Sequence, residues 1–148
     1  MSFFNVGELF KRGGSFEIEG ETPEEIYKNL CEVMPLPSSV TKESVFTGLC
    51  DRERVMSTAV GRGIALPHCR GALLKDNDEQ QITVCYLKKP IDMNAPDGRK
   101  VAVMFVLLTS NSQTHLQVLS QLASLFKDEK FRQLINRHAS AAELAALF

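Results

Sequence analysis

The run Val101-Ala102-Val103-Met104-Phe105-Val106-Leu107-Leu108 decides the architecture. All its side chains are apolar, so both alternating faces of an extended chain need covering, as in a central strand held between two layers. It is far shorter than the roughly 20 apolar residues that a membrane-spanning helix requires. Upstream, residues 82–87 and 64–67 are two further short apolar runs that read as strands, and Phe16-Glu17-Ile18-Glu19 adds a weaker, alternating edge strand.

Helical signals surround these strands. Thr22-Pro23-Glu24-Glu25 reads as a capping box with proline at the first helical position, followed by a stripe of Ile26, Leu30, Val33 and Met34 that ends before Pro35. Thr41 is positioned to cap a second helix with Val45, Phe46 and Leu49 inward, carrying Asp51, Arg52 and Glu53 near its end. Ser112 is the expected cap of a helix over 112–127 with Leu116, Leu119, Leu122, Ala123 and Phe126 on its inner stripe. Asp128 and Ser140 cap two shorter helices, the second through the box Ser140-Ala141-Ala142-Glu143. The expected fold class is therefore α/β: a sandwich of a mixed central β-sheet covered by helices on both faces, with residues 1–148 forming a single domain.

Composition narrows the function. The 148 residues carry 17 Lys plus Arg against 18 Asp plus Glu, a net charge of −1, which disfavours nucleic acid as a partner. The N-terminus lacks a signal-peptide pattern, so a cytoplasmic protein without membrane insertion is expected. Cys31, Cys50, Cys69 and Cys85 form no C-x-x-C pair, and His68, His115 and His138 show no metal-ligand spacing. No metal and no cofactor are expected.

The chemistry concentrates in residues 51–70, DRERVMSTAVGRGIALPHCR. Gly61 and Gly63 permit a tight turn before a short strand, and Pro67 restricts the backbone just before His68, which presents the imidazole at a strand tip. An imidazole with an ordinary pKa of about 6.5 is neutral enough at pH 7 to attack phosphorus through one nitrogen, if the other is held by a hydrogen bond, a backbone carbonyl being the expected partner. Gly61-Arg62-Gly63 lacks the third glycine and the strand-to-helix order of a dinucleotide fingerprint.

The pattern Arg52-Glu53, Ser57-Thr58, then Gly61-x-Gly63-Ile64-Ala65-Leu66-Pro67-His68 resembles the signature of phosphotransferase-system enzyme IIA domains of the mannitol/fructose type, the nitrogen-regulatory IIA proteins among them. Leu36-Pro37, Pro90-Ile91-Asp92, residues 101–108 and Thr114-His115-Leu116 extend that resemblance over nearly the whole chain. It implies a phosphocarrier in which His68 receives and donates the phosphoryl group, Arg52 helps to hold it, and His115 lies beside the site as a neutral donor. Ser57, Thr58 and Arg62 are further candidate phosphoryl contacts. The implied partners are an HPr-type phosphocarrier protein as donor, and either a IIB domain or regulated cytoplasmic proteins downstream. The regulatory, nitrogen-branch role is the first expectation. A sugar-specific IIA component serving transport is the alternative, and a non-catalytic α/β binding domain with an idle His68 is the third. Two positions depart from the family pattern: Cys69 stands where glycine is usual, and Arg62 where Asn or an acidic residue is common. Cys69 is expected to be a packed thiol, since neighbours on an extended segment point to opposite faces.

Overall fold

In the computed structural model, which describes residues 5–69 and 74–148, a five-stranded sheet lies between two helix layers. Along the chain the elements are α1 (Val6–Gly13), β1 (Ser15–Ile18), α2 (Pro23–Val33), α3 (Lys42–Val55), β2 (Ala59–Gly61), β3 (Ile64–Ala65), β4 (Gln81–Ile91), β5 (Val101–Leu108), α4 (Ser112–Leu125), α5 (Glu129–Asn136) and α6 (Ala141–Ala145). The spatial order is β1-β4-β5-β3-β2. β1 runs parallel to β4, β4 antiparallel to β5, β5 parallel to β3, and β3 antiparallel to β2, so the sheet is mixed as expected.

β5 is central because neither of its faces tolerates water. Val103, Phe105 and Leu107 pack with α1, α4, α5 and α6, whereas Met104, Val106 and Leu108 pack with α2 and α3. On the first face Phe105 meets Phe126 at 5.4 Å and Phe131 at 5.9 Å between ring centroids, contacts worth about 0.5–1.5 kcal/mol each beyond their burial. Among the described residues no helix is long and apolar enough to cross a membrane.

The caps at Thr22, Thr41, Asp128 and Ser140 form where expected. At α2, Glu25 reaches back to the amide of Glu21 rather than that of Thr22. α4 is capped by Asn111 instead of Ser112, the Asn111 carboxamide oxygen accepting from the Thr114 amide at 2.8 Å. The two residue types cap about equally well, so propensity alone does not choose between them.

Packing also corrects two stripes. In α4, Leu116 is 65% exposed and Ala123 faces solvent, while Val118, Leu122 and the following Phe126 are buried. Two overlapping 3–4 spacings exist in this segment, and the aromatic cluster around Phe105 selects the one that turns His115 inward and Leu116 outward. In α2, Val33 is likewise exposed, and the buried positions are Ile26, Tyr27, Leu30 and Cys31. Helix α1 and strand β2 go unread in the sequence, although Asn5 as cap, Lys11 and Arg12 in the last turn, and Gly14 at the end with φ 73° are ordinary helix signals.

Candidate functional site

His68 is placed by the continuation of β3. Ile64 pairs with Val103, Ala65 with Met104, and His68 with Leu107, all at the same offset, so the chain stays extended beside β5 through Leu66 and Pro67. The Pro67 carbonyl accepts from the Leu107 amide at 2.8 Å, but Pro67 has no N–H to return. The ladder therefore lacks one rung immediately before the histidine, which pairs again with Leu107. Upstream, Gly61, Arg62 and Gly63 have φ of 99°, 57° and 79°, three consecutive left-handed residues that turn β2 into β3. Two of these can be tolerated cheaply only because they are glycines.

Alternation then sorts the side chains. Ile64 and Leu66 belong to the α4 face and Ala65 to the α3 face, so His68 is directed to the α4 side and Cys69 to the α3 side. Cys69 packs onto Gly48, where an added Cβ would lie 2.9 Å from its Cβ and Sγ, and its thiol donates to the Val45 carbonyl at 3.6 Å. Burial pushes that thiol up to about 12, so it is not a thiolate near neutrality.

The His68 ring has its Nδ1 2.9 Å from the Leu66 carbonyl oxygen. A carbonyl can only accept, so Nδ1 carries the proton and Nε2 carries the lone pair. Burial lowers the His68 pKa, with Arg52 acting in the same direction and the Leu66 bond and Glu53 opposing it. His115, in the first turn of α4, places its ring centroid 4.5 Å from that of His68 at an interplanar angle of 58°. Its Nδ1 lies 3.3 Å from the Thr109 hydroxyl. Burial first, then His68 and Arg52, push His115 down to about 4. Both pKa values are thus held below the ordinary one, which favours the neutral rings that can sit this close together near pH 7.

Arg52 lies in the last turn of α3, where its guanidinium donates to the Met56 carbonyl at 2.6 Å and its charge reaches both imidazoles. The next residue holds this end of the site together. Glu53 accepts from the Tyr27 hydroxyl at 2.5 Å, the Thr58 hydroxyl at 2.7 Å and the Thr58 amide at 2.8 Å, tying α2, α3 and the start of β2. Sequence reasoning gave Glu53 no role. Its only signal is its place beside Arg52, because Tyr27 is 26 residues away.

His68, Arg52 and His115 thus converge from β3, α3 and α4. The other candidates do not join them in the same way. The single hydroxyl hydrogen of Ser57 is donated to the Met93 carbonyl and that of Thr58 to Glu53, so neither is available to a phosphoryl oxygen in this state. Arg62 is turned elsewhere: its guanidinium donates to the Phe126 carbonyl at 3.3 Å, past the end of α4 opposite to His115. Among the described residues no group of three or more His, Cys, Asp or Glu is arranged to hold a metal ion.

Residues 14–148 match the family described as "Phosphoenolpyruvate-dependent sugar phosphotransferase system, EIIA 2". The chain belongs to this enzyme IIA family. A relative from Pseudomonas aeruginosa described as "Nitrogen regulatory protein" is 37% identical over 103 residues, 68% of this chain and 64% of the relative. The matched stretch therefore spans less than two thirds of that relative's length. Among solved structures, nitrogen regulatory protein IIA-Ntr from Neisseria meningitidis superposes with a TM-score of 0.79 at 29% identity, covering 96% of this chain and 97% of that one. The complex of mannitol enzyme IIA with phosphorylated IIB from Escherichia coli has a TM-score of 0.64 at 20% identity over 90% of this chain and 94% of that chain, a likeness of fold.

The depressed His115 pKa makes stability depend on pH with a definite sign. Between the ordinary value of 6.5 and about 4, the unfolded chain binds a proton that the folded site refuses. Stability is expected to be complete above about 6.5 and to fall as pH drops through that window. Denaturant midpoints measured across the window should show the slope, and His115→Gln should reduce it; an equal slope in the variant would place the titration elsewhere.

Proposed function

We propose that this protein is a phosphocarrier of the phosphoenolpyruvate-dependent phosphotransferase system, phosphorylated on Nε2 of His68 and acting chiefly as a regulator. The observation that carries this reading is the His68 imidazole with Nδ1 pinned to a backbone carbonyl, Nε2 left with the lone pair, and the His115 ring 4.5 Å away between centroids. The donor is an HPr-type phosphocarrier protein. Its N–P bond breaks as the Nε2–P bond forms, in line, and no net proton is released because Nδ1 keeps its own. Arg52 stabilises charge on the phosphoryl oxygens with its planar fork of donors. In the tautomer in which the Thr109 hydroxyl donates to its Nδ1, His115 offers an Nε2–H to the same oxygens without adding a full charge.

The regulatory branch draws support from relatives described as nitrogen regulatory proteins, at 37% identity in Pseudomonas aeruginosa and 33% in Escherichia coli. In this role cytoplasmic target proteins distinguish the two forms, since the phosphoryl group adds roughly −1.5 to −2 of charge to a neutral site. The family description itself names a sugar system, which supports the transport reading with a IIB domain as acceptor. One experiment separates them: with phosphoenolpyruvate, enzyme I and a phosphocarrier, label should reach His68 and stay there when purified fructose- or mannitol-type IIB is added. Rapid transfer of the label to IIB would favour transport.

A protein donor must dock over His68, and the elements around it offer apolar surface. Met56, whose carbonyl holds Arg52, is 68% exposed, Val55 is 64% exposed, and Leu116, next to His115, is 65% exposed. Leu116→Glu and Met56→Glu should each raise the KM for the phosphorylated donor by about tenfold, or ~1.4 kcal/mol, with an unchanged melting temperature. An unaltered KM in both variants would remove this face from the docking surface.

A further inference from the structure

At the end of α4 opposite His115, a cleft of about 500 Å3 opens between the turn joining β2 to β3, the start of β5, and α5. Arg62, Arg99 and Arg132 line it from three separate segments, together with His138, Tyr86 and Asn136, and no Asp or Glu lines it. The chain as a whole has a net charge of −1, so this concentration of positive charge is local and not a property of the surface at large. Among the described residues the arginines in side-chain ion pairs are Arg54, with Asp51, and Arg137, with Glu143; the three cleft arginines have no such pair. Asp97 acts on their backbone, its carboxylate accepting from the amides of Arg62 at 2.8 Å and Arg99 at 3.1 Å, and it thereby fixes where both side chains originate.

The walls are built to hold shape. His138 stacks on Tyr86 at 4.4 Å between centroids and 9° between planes, while its Nδ1 bonds to Glu17 at 2.7 Å. Arg62 and His138 are also two of the three non-glycine residues with positive φ among the described residues, both at 57°. Such a conformation costs about 1–2 kcal/mol in an L-residue and persists only where surroundings impose it. Arg62 adopts it within the β2–β3 turn and His138 at the C-terminal end of α5, where the Ala139 amide donates back to the Leu134 carbonyl at 2.9 Å, so local backbone geometry fixes both cleft residues.

Three arginines line one cleft, while the nearest carboxylates, Asp97 and Glu17, are engaged by the Arg62 and Arg99 amides and by His138; the side-chain charge of the lining is therefore positive, and a concave wall concentrates its field. A planar fork of N–H donors matches phosphate oxygens, and the volume falls within the range of small-molecule sites. We propose that this cleft binds a small anion carrying phosphate groups, at a site separate from His68. The binding does not depend on phosphotransfer at His68.

The test is an NMR titration of the full chain with sodium pyrophosphate at about 0.15 M salt, where loose surface attraction is screened. Saturable shifts are expected at the amides of residues 61–64, 99 and 138, with a Kd below about 1 mM. The double variant Arg99→Gln/Arg132→Gln should weaken binding at least about tenfold, keep the wild-type melting temperature, and still accept a phosphoryl group at His68. Repeating the titration with a nucleoside diphosphate distinguishes the source of the phosphates: tighter binding than pyrophosphate assigns a nucleotide, equal binding a phosphate group alone. Shifts confined to Arg52, His68 and His115, no saturation, or undiminished binding by the double variant would overturn the proposal. So would saturation by a polyglutamate peptide but not by pyrophosphate, which would assign the cleft to an acidic protein.

Discussion

Replacing His68 by Ala is expected to abolish phosphorylation. Of the three imidazoles, only this one has its Nδ1 proton fixed by a carbonyl, which leaves the lone pair on Nε2, in the extended segment that continues β3. His115 has its Nδ1 directed to Thr109 and a pKa pushed down to about 4, so it is the weaker base of the pair and a poorer nucleophile. His138 is bonded to Glu17 and stacked on Tyr86. Label from phosphoenolpyruvate, passed through enzyme I and an HPr-type protein, should be lost from the variant entirely. The fold should survive, since the ring is only part-buried and its one hydrogen bond contributes about 1 kcal/mol. Label persisting in His68→Ala, or a wild-type linkage cleaved by alkali, would point to another residue, a carboxylate or a hydroxyl.

Arg52→Ala is expected to slow transfer by roughly 10²–10³-fold, about 2.7–4 kcal/mol of transition-state stabilisation, comparable to losing one positioned donor at a charged centre. Its positive charge lowers the pKa of both rings, so it is near enough to favour added negative charge at His68. The structural cost is small: the bond to the Met56 carbonyl satisfies one end group of α3 at a partly exposed position. The melting temperature should therefore change little while the rate falls. Arg52→Lys should recover part of the rate, because a point charge lacks the two-pronged geometry. A wild-type rate in Arg52→Ala would reduce the residue to a helix cap.

Much of this was legible in advance, for reasons that differ between elements. The central strand reads directly because an all-apolar eight-residue run has no other stable home than a covered sheet. The caps at Thr41 and Ser140 read directly because side chain and amide lie three residues apart, so the contact is local. The presentation of His68 by Pro67 and the opposed directions of His68 and Cys69 follow from backbone restriction and the period of two, again without any distant partner. By contrast, α1 was missed despite its own cap and basic last turn, because its short pattern competes poorly with flanking loop signals.

Local patterns of residues therefore fix the faces each segment can offer: a two-sided strand, capped helices, an imidazole at a strand tip. Packing of the layers selects which of those faces meet. Leu116 and His115 sit on adjacent spacings of one helix, and only the rings at Phe105 and Phe131, from other elements, turned the histidine toward His68 and the leucine to solvent. Glu53 became the joint between α2, α3 and β2 through a tyrosine 26 residues away. Arg62, written into the motif beside the reactive histidine, was carried by three left-handed residues to the far end of α4, where its fork found the Phe126 carbonyl 64 residues on. Local periodicity and capping act over a turn or two of chain, whereas choosing among equally permitted faces depends on long-range burial, and that choice exists only once the layers have packed.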